Sequence, residues 1–250
     1  MAVRIATYNV HKCRGLDWRL SLGRIARVID ELDAAVVGLQ EVFAEQAESL
    51  ARHLGIKCVF GKARELAGKP YGNAVLAKHQ PVASHNFDLS VAGREPRSCL
   101  RVDFSLPGIG NLHFFNAHLG TSFFERRAQA ARIVSPGVLG TPDVVYPRVL
   151  VGDFNEWTRG KVSRTLAKYM CSADLGEHLA WRRTYPGTLP FLHLDHVYHD
   201  RALKLTHMRV HRSAASLVAS DHLPLVSILE RTDRQAETLT APEWTTTHSD

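Results

Sequence analysis

Six times in this chain a short apolar run meets an acid, an amide or an imidazole. One run ends at Asn9, a second at Gln40-Glu41, a third at Asn116-Ala-His118 and a fourth at Asp153-Phe-Asn155. Two more begin at Asp195-His196 and Ser220-Asp221-His222. Apolar runs of about four to eight residues are strands buried in a sheet, and polar groups at their ends are costly to bury unpaired. In antiparallel pairs the end of one strand lies beside the start of its neighbour. Ends and starts can thus share one rim of the fold, and six such coincidences point to a single polar site built there.

The rest of the chain supplies a scaffold for that rim. Leu22, Ile25, Val28, Ile29 and Leu32 recur at three- and four-residue steps, a helix face starting near Ser21. Residues 45–54, 124–134 and 161–170 read as further helices, the middle one broken by Pro136 and Gly137. Residues 34–39, 72–77, 149–152, 194–199, 203–211 and 223–229 read as strands. Residues 100–106 and 111–119 form a hairpin around Pro107-Gly108-Ile109-Gly110. The pattern is one α/β domain with a large, mostly antiparallel sheet content.

At 250 residues, 45% hydrophobic and 22% charged, the composition is that of a globular protein rather than a disordered or fibrous one. Apolar stretches fall far short of a membrane span, and residues 1–5 run straight into a strand pattern. The expectation is a cytoplasmic protein without a signal peptide. Four widely spaced cysteines, with no C-x-x-C pair, indicate neither a zinc site nor a disulfide framework. The net charge is +6; residues 1–229 alone carry 29 bases against 20 acids, +9. A basic body suits a nucleic acid or an anionic lipid surface, and equally suits simple solubility. Residues 1–230 are read as the catalytic domain and 231–250, rich in Thr, as a mobile tail.

The chemistry follows from residue type. Glu41, Asp153, Asp195 and Asp221 on one rim repel one another without a cation, and hard oxygen ligands, helped by Asn9 and Asn155, suit Mg²⁺ or Mn²⁺. A cation there neutralises a phosphate and its leaving oxygen. His222, oriented by Asp195, would stabilise developing charge or shuttle a proton, and Asp153 would orient or deprotonate an attacking water. Each feature has a plainer reading when taken alone. Asp153-Phe-Asn155 is equally an Asx turn, Glu41 a helix-capping acid, and Ser220-Asp221-His222 a loop. Ser220 lacks the glycine pattern of a serine-hydrolase elbow. Together these plainer readings require six separate accidents.

At these residues the sequence resembles the endonuclease/exonuclease/phosphatase superfamily. The likeness is carried by Thr7-Tyr-Asn9, Leu39-Gln-Glu41, Tyr71-Gly-Asn73, Glu95-Pro-Arg97, Asn116-Ala-His118-Leu119, Gly152-Asp-Phe-Asn155, Leu194-Asp195-His-Val and Ser220-Asp-His222, in that order. The resemblance implies a four-layer α/β/β/α sandwich, two mostly antiparallel sheets face to face with helices outside. It implies Glu41 as principal metal ligand with Asn9 nearby, and Asp153 as the residue positioning the water. By the same resemblance Asn155 and His118 hold phosphate, Asp195 and His222 form an acid–imidazole pair, and Asp221 serves a second metal or orients its neighbour. Arg97 and Asn73 would touch substrate phosphate, with an ion pair and strand completion as their alternatives.

The reading is a divalent-metal-dependent phosphohydrolase, a phosphodiesterase acting by activated water on a small or lipid-borne phosphate ester. A nuclease using the basic body on DNA or RNA is the alternative, and an inactive nucleic-acid or membrane-surface binding module is a third. Lys12, Arg14, Arg126 and Arg127 lie where they would add positive charge near the rim. The pair in the helix is equally a solvated face.

Overall fold

Alternation along β1 (Ala2–Asn9) sets the architecture. Val3 and Ile5 face one core while Ala6 and Tyr8 face another, so this strand is buried on both sides. The computed structural model describes residues 1–144, 147–157, 160–173 and 183–232. After β1 come α1 (Leu22–Leu32), β2 (Val36–Phe43), α2 (Ala44–Leu54), β3 (Lys57–Leu66), β4 (Lys69–Ala77) and β5 (Pro81–Asp88). Then follow β6 (Ser98–Leu106), β7 (Gly110–His118), α3 (Phe123–Ile133), β8 (Arg148–Asp153), α4 (Lys161–Leu166) and β9 (Cys171–Ser172). The described chain closes with β10 (Asp195–His199), β11 (Leu203–Val210), α5 (Ser216–Ala219) and β12 (Leu225–Arg231).

The strands form two six-stranded sheets, ordered β11-β12-β1-β2-β4-β3 and β5-β6-β7-β8-β10-β9. Pairing is antiparallel except between β1 and β2 and between β7 and β8. The inner faces meet through Val3, Ile5, Val36 and Val75 on one side and Val102, Phe114, Val151 and Val197 on the other. Outside the first sheet, Ile25, Val28, Ile29 and Leu50 of α1 and α2 cover Tyr8, Val37 and Leu39. Outside the second, Ala130, Ile133, Val162 and Leu166 of α3 and α4 cover Phe115, Leu150 and Tyr198. This is the expected four-layer sandwich, with both sheets mixed.

Elements with clean periodicity fall where the pattern puts them. Ser21 caps α1, its hydroxyl accepting from the Arg24 amide at 3.4 Å. α4 is shorter than the pattern of 161–170, ending at Leu166. The pattern does not reveal β3 or β5, both edge strands whose side chains are mostly exposed or half-buried. With no second sheet neighbour, an edge strand needs no apolar alternation. Of the expected tail, Arg231 ends β12 and the Thr232 amide donates to the Ala202 carbonyl; the remainder lies outside the described residues.

The two sheets are pinned near the rim by buried amides rather than by apolar contact alone. Asn116 reaches across from β7 and donates to the Leu39 and Ala74 carbonyls, both at 2.9 Å, while its oxygen accepts from Gln40 at 2.6 Å. Gly38 makes room for it: a Cβ there would lie 2.9 Å from Asn116 Cγ. Asn116→Ala removes these bonds and leaves buried carbonyls unpaired. We expect it to lower unfolding stability in urea by about 3 kcal/mol; a loss under about 1 kcal/mol would contradict the pinning role.

Candidate active site

Register alone places three of the predicted residues in a row. His118 at the end of β7 stands opposite Asp153 at the end of β8, and Asp153 stands opposite Asp195 at the start of β10. Residues directly opposite in a sheet share a face. These three have the parity of Phe114, Val151 and Val197, so they face the gap between the sheets. Asn9 has the parity of Val3 and Ile5 and enters the gap from the first sheet. Its amide nitrogen donates to Asp153 Oδ2 at 3.0 Å and to Glu41 Oε1 at 3.1 Å.

Glu41 arrives by another route. In β2 the register with β4 shifts between Leu39 and Val42, and Glu41 takes a left-handed φ of 56°. This bulge breaks the two-residue period and turns the carboxylate toward the gap. Glu41 also accepts from Tyr71 at 3.0 Å and from Lys12 at 3.3 Å. Lys12 sits in a tight turn where His11, Lys12 and Cys13 all have positive φ, and Asn155, at 50°, joins them and Glu41. Backbone of this kind is costly for residues with a Cβ and gathers at functional sites.

The remaining partners come from the segment before β12. Ser220 ties that segment to β1, donating to the Asn9 carbonyl at 2.8 Å. His222 then meets Asp195, Nδ1 to Oδ2, at 2.8 Å, while its Nε2 lies 3.6 Å from Asp153 Oδ2. His118 Nε2 lies 3.7 Å from that same oxygen. Both separations are too long for direct hydrogen bonds, so neither imidazole closes off the carboxylate. The other Asp153 oxygen accepts from the Asn155 amide at 2.9 Å.

Burial and charge set the protonation states. Burial pushes the Asp153 carboxyl up to about 6; the His222 imidazolium pulls it back and Asp195 pushes it further up. Burial opposes the charge on His222, but the Asp195 and Asp153 carboxylates override it and raise the imidazole to about 10. His118 is driven the other way, to about 3, by burial and by the Arg97 guanidinium. Glu41 loses to burial but gains more from His118, Lys12, Asn9 and Tyr71, and is held well below the ordinary carboxylate range. The Arg97 guanidinium lies 2.9 Å from His118 Nδ1 and 3.3 Å from Nε2, against a neutral imidazole.

The structure brings Asn9, Glu41, His118, Asp153, Asn155, Asp195 and His222 together, with Arg97 behind His118. The Asp221 carboxylate lies 3.6 Å from His11 Nδ1 and accepts from the Ser220 hydroxyl at 3.3 Å. Asn73 spends its amide nitrogen on the Ser98 carbonyl at 2.9 Å, a second bridge between the sheets. Arg126 is buried and donates to the Gly120 and Thr121 carbonyls; Arg127 is exposed. Two residues gain a place that periodicity does not signal. Tyr71 holds Glu41, and Tyr185 packs its ring 4.9 Å from the His222 ring.

The donors suit a hard, open cation site. Among the described residues no group of three or more His, Cys, Asp or Glu is gathered as a closed metal cage. Glu41 offers a fully ionised carboxylate at the edge of the gap, and one or two carboxylates with retained waters is how Mg²⁺ is usually held.

Comparison with known proteins agrees with this geometry. Residues 6–222 match the Endonuclease/Exonuclease/phosphatase family. Over 217 residues the chain is 29% identical to "Uncharacterized protein YbhP" of Escherichia coli strain K12, covering 78% of this chain and 83% of that one. Among solved structures, the mannosyl-6-phosphatase Bt3783 of Bacteroides thetaiotaomicron superposes with a TM-score of 0.75 at 20% identity, over 91% of this chain and 99% of its own. TDP2 of D. rerio, solved with a single-strand DNA product, gives 0.70 at 18% identity, over 92% and 99%. At these identities the two structures speak for the fold.

The Asp195–His222 pair makes a testable statement about the metal-free protein. Because the folded pKa is raised above the ordinary imidazole value, the pair's stabilisation is complete below about 6.5 and is lost as pH rises through about 10. NMR titration of the ring should show His222 protonated across neutral pH. Asp195→Asn should return it toward the ordinary range and remove that alkaline loss of stability. A wild-type imidazole titrating near 6.5 would contradict the assignment.

Proposed function

The chain belongs to the endonuclease/exonuclease/phosphatase family, and on that premise we propose that it is a divalent-cation-dependent phosphodiesterase. The observation carrying this reading is the focus on Asp153 Oδ2, which faces Asn9, His118 and His222 at once. Asp153 is the group that takes a proton from water as the water oxygen bonds to phosphorus and the ester P–O bond breaks. His118 donates a ring N–H to a phosphoryl oxygen, and the Asn155 side-chain amide, which donates to the Leu119 carbonyl at 2.9 Å, lies 3.4 Å from His118 Nε2. His222, kept cationic by Asp195, stabilises the charge that grows on the phosphoryl group.

Glu41 is the residue proposed to hold the cation, with Asn9, Tyr71 and Lys12 fixing its carboxylate. When bound, the cation supplies a Lewis acid that neutralises phosphoryl charge and steadies the leaving oxygen. Asp221 orients the loop that carries His222. Within this reading the substrate is a diester rather than a monoester.

The test is hydrolysis of bis-p-nitrophenyl phosphate beside p-nitrophenyl phosphate, with Mg²⁺, Mn²⁺ or EDTA. The diester should be cleaved faster, EDTA should abolish cleavage, and Asp153→Ala should cost about 10³-fold or more. Glu41→Gln should shift the metal requirement upward. A folded Asp153→Ala protein with full turnover would overturn the reading. Plasmid nicking that weakens steeply with salt would assign the activity to nucleic acid instead.

A further inference from the structure

Ten large hydrophobic side chains are exposed among the described residues, and eight of them lie on segments that leave or enter the strand ends carrying the candidate site. Only Met1 and Val82 lie elsewhere. Scattered exposed hydrophobics are ordinary on a protein surface, but their confinement to one rim is not. Trp18 (71% exposed) and Leu20 follow the turn that carries Lys12. Phe123 and Phe124 (75%) open α3, five and six residues after His118. Trp157 follows Asn155 by two residues. Leu189 (78%) and Phe191 sit on the excursion closed by the Tyr185–Leu192 bridge, whose base packs on His222.

Contacts join several of these loops to one another beside the site. Trp18 lies edge-on to His11, ring centroids 6.3 Å apart, and Val218 binds the same loop through Leu16. The Arg126 guanidinium sits over the Trp157 ring at 5.9 Å, joining the loop after β7 to the loop after β8. Gly187 on the excursion donates to the Asp221 carbonyl at 2.8 Å. The result is an apolar collar with the Asp153 site at its floor.

Charge is interleaved with the collar, and the bases outnumber the acids on these loops. Arg14, Arg19, Arg127, Lys161 and Arg183 are exposed on the same loops. Among the described residues of these loops the exposed acid Asp17 is paired with Arg24 at 2.8 Å, and the exposed acids Glu45 and Glu95 of neighbouring turns are paired with Lys69 and Arg64. Tryptophans at a rim, aliphatic tips and flanking bases are what an anionic lipid interface takes up: rings at the headgroup level, aliphatics among the acyl chains, bases against the headgroup charge. Aromatic rings alone would equally stack nucleobases. Leu20, Leu189 and Val218 have no flat face to stack and gain only from entering an apolar phase. The mixture thus favours lipid over single-stranded nucleic acid.

We propose that this collar docks the protein on an anionic lipid surface and delivers a headgroup phosphoester to the Asp153 site. The substrate half of the proposal rests on the phosphodiesterase reading above; the docking half does not.

The test uses the full-length protein and needs no substrate. In flotation assays the protein should rise with vesicles of phosphatidylcholine plus phosphatidylglycerol, and much less with phosphatidylcholine alone. Tryptophan emission should shift to the blue on binding. The triple variant Phe124→Ser/Leu189→Ser/Phe191→Ser should weaken vesicle binding by at least about tenfold, with bis-p-nitrophenyl phosphate hydrolysis unchanged. Arg19→Glu/Arg127→Glu, which leaves the apolar tips intact, should lose the preference for anionic vesicles. Wild-type protein that stays unbound on both vesicles overturns the docking. So does vesicle binding that the triple variant retains in full. A collar whose loss abolishes single-stranded DNA binding, with no vesicle binding in the wild type, overturns it in favour of base stacking. Flotation without any ester hydrolysis supports the docking and counts against the phosphodiesterase reading alone, so the two failures are distinguishable.

Discussion

One buried carboxylate oxygen, Asp153 Oδ2, organises this protein. It lies in the gap between two sheets, where an anion without donors is prohibitively costly. Asn9 meets it from the opposite sheet at 3.0 Å. Two imidazoles approach it at 3.6 and 3.7 Å without bonding it directly. Holding that arrangement fixes how closely the sheets stand. Asn116 spans the gap beside it, Gly38 leaves room for Asn116, and Gly152, with φ 146°, lets β8 approach β7 where a Cβ would strike the Ala117 carbonyl. Packing and the candidate site are therefore one constraint here: the sheets could not separate without unpairing Asn9 from Asp153 and Asn116 from its partners.

That coupling explains which parts of the site can be read from the amino-acid order. Period-two alternation carries Asn9, His118, Asp153 and Asp195 to the inner face by the same parity as the valines and phenylalanine before them. Their pairing needs only strand register. Glu41 is different. Parity sends it to the helix side, and a bulge with a left-handed residue returns it to the gap; no local propensity announces such a turn in glutamate. Tyr71 and Tyr185 reach the site through tertiary contact alone. Asn73 is the converse case, a polar residue at a plausible place whose amide nitrogen serves the seam between the sheets. Edge strands β3 and β5 were hidden because nothing covers them fully, so they carry no alternating signal.

The site proposed for chemistry and the collar proposed for docking are built from different material. The groups around Asp153 stand on strand ends, anchored by two sheets and locked by hydrogen bonds to their neighbours. The apolar collar stands on the loops that leave those strands, where sequence is free to vary without disturbing the floor. The protonation pattern fits the same division. A neutral His118 and a cationic His222 flank the carboxylate, each set by an arginine or an aspartate behind it.

The central claim is that Asp153 activates water for attack at phosphorus. Hydrolysis of bis-p-nitrophenyl phosphate in ¹⁸O-labelled water, read by mass spectrometry, tests it directly. The account predicts one labelled oxygen in the p-nitrophenyl phosphate product, none in the p-nitrophenol, and loss of the labelled product with Asp153→Asn. Label in the phenol, or undiminished labelling of the phosphate by a folded Asp153→Asn protein, would contradict it.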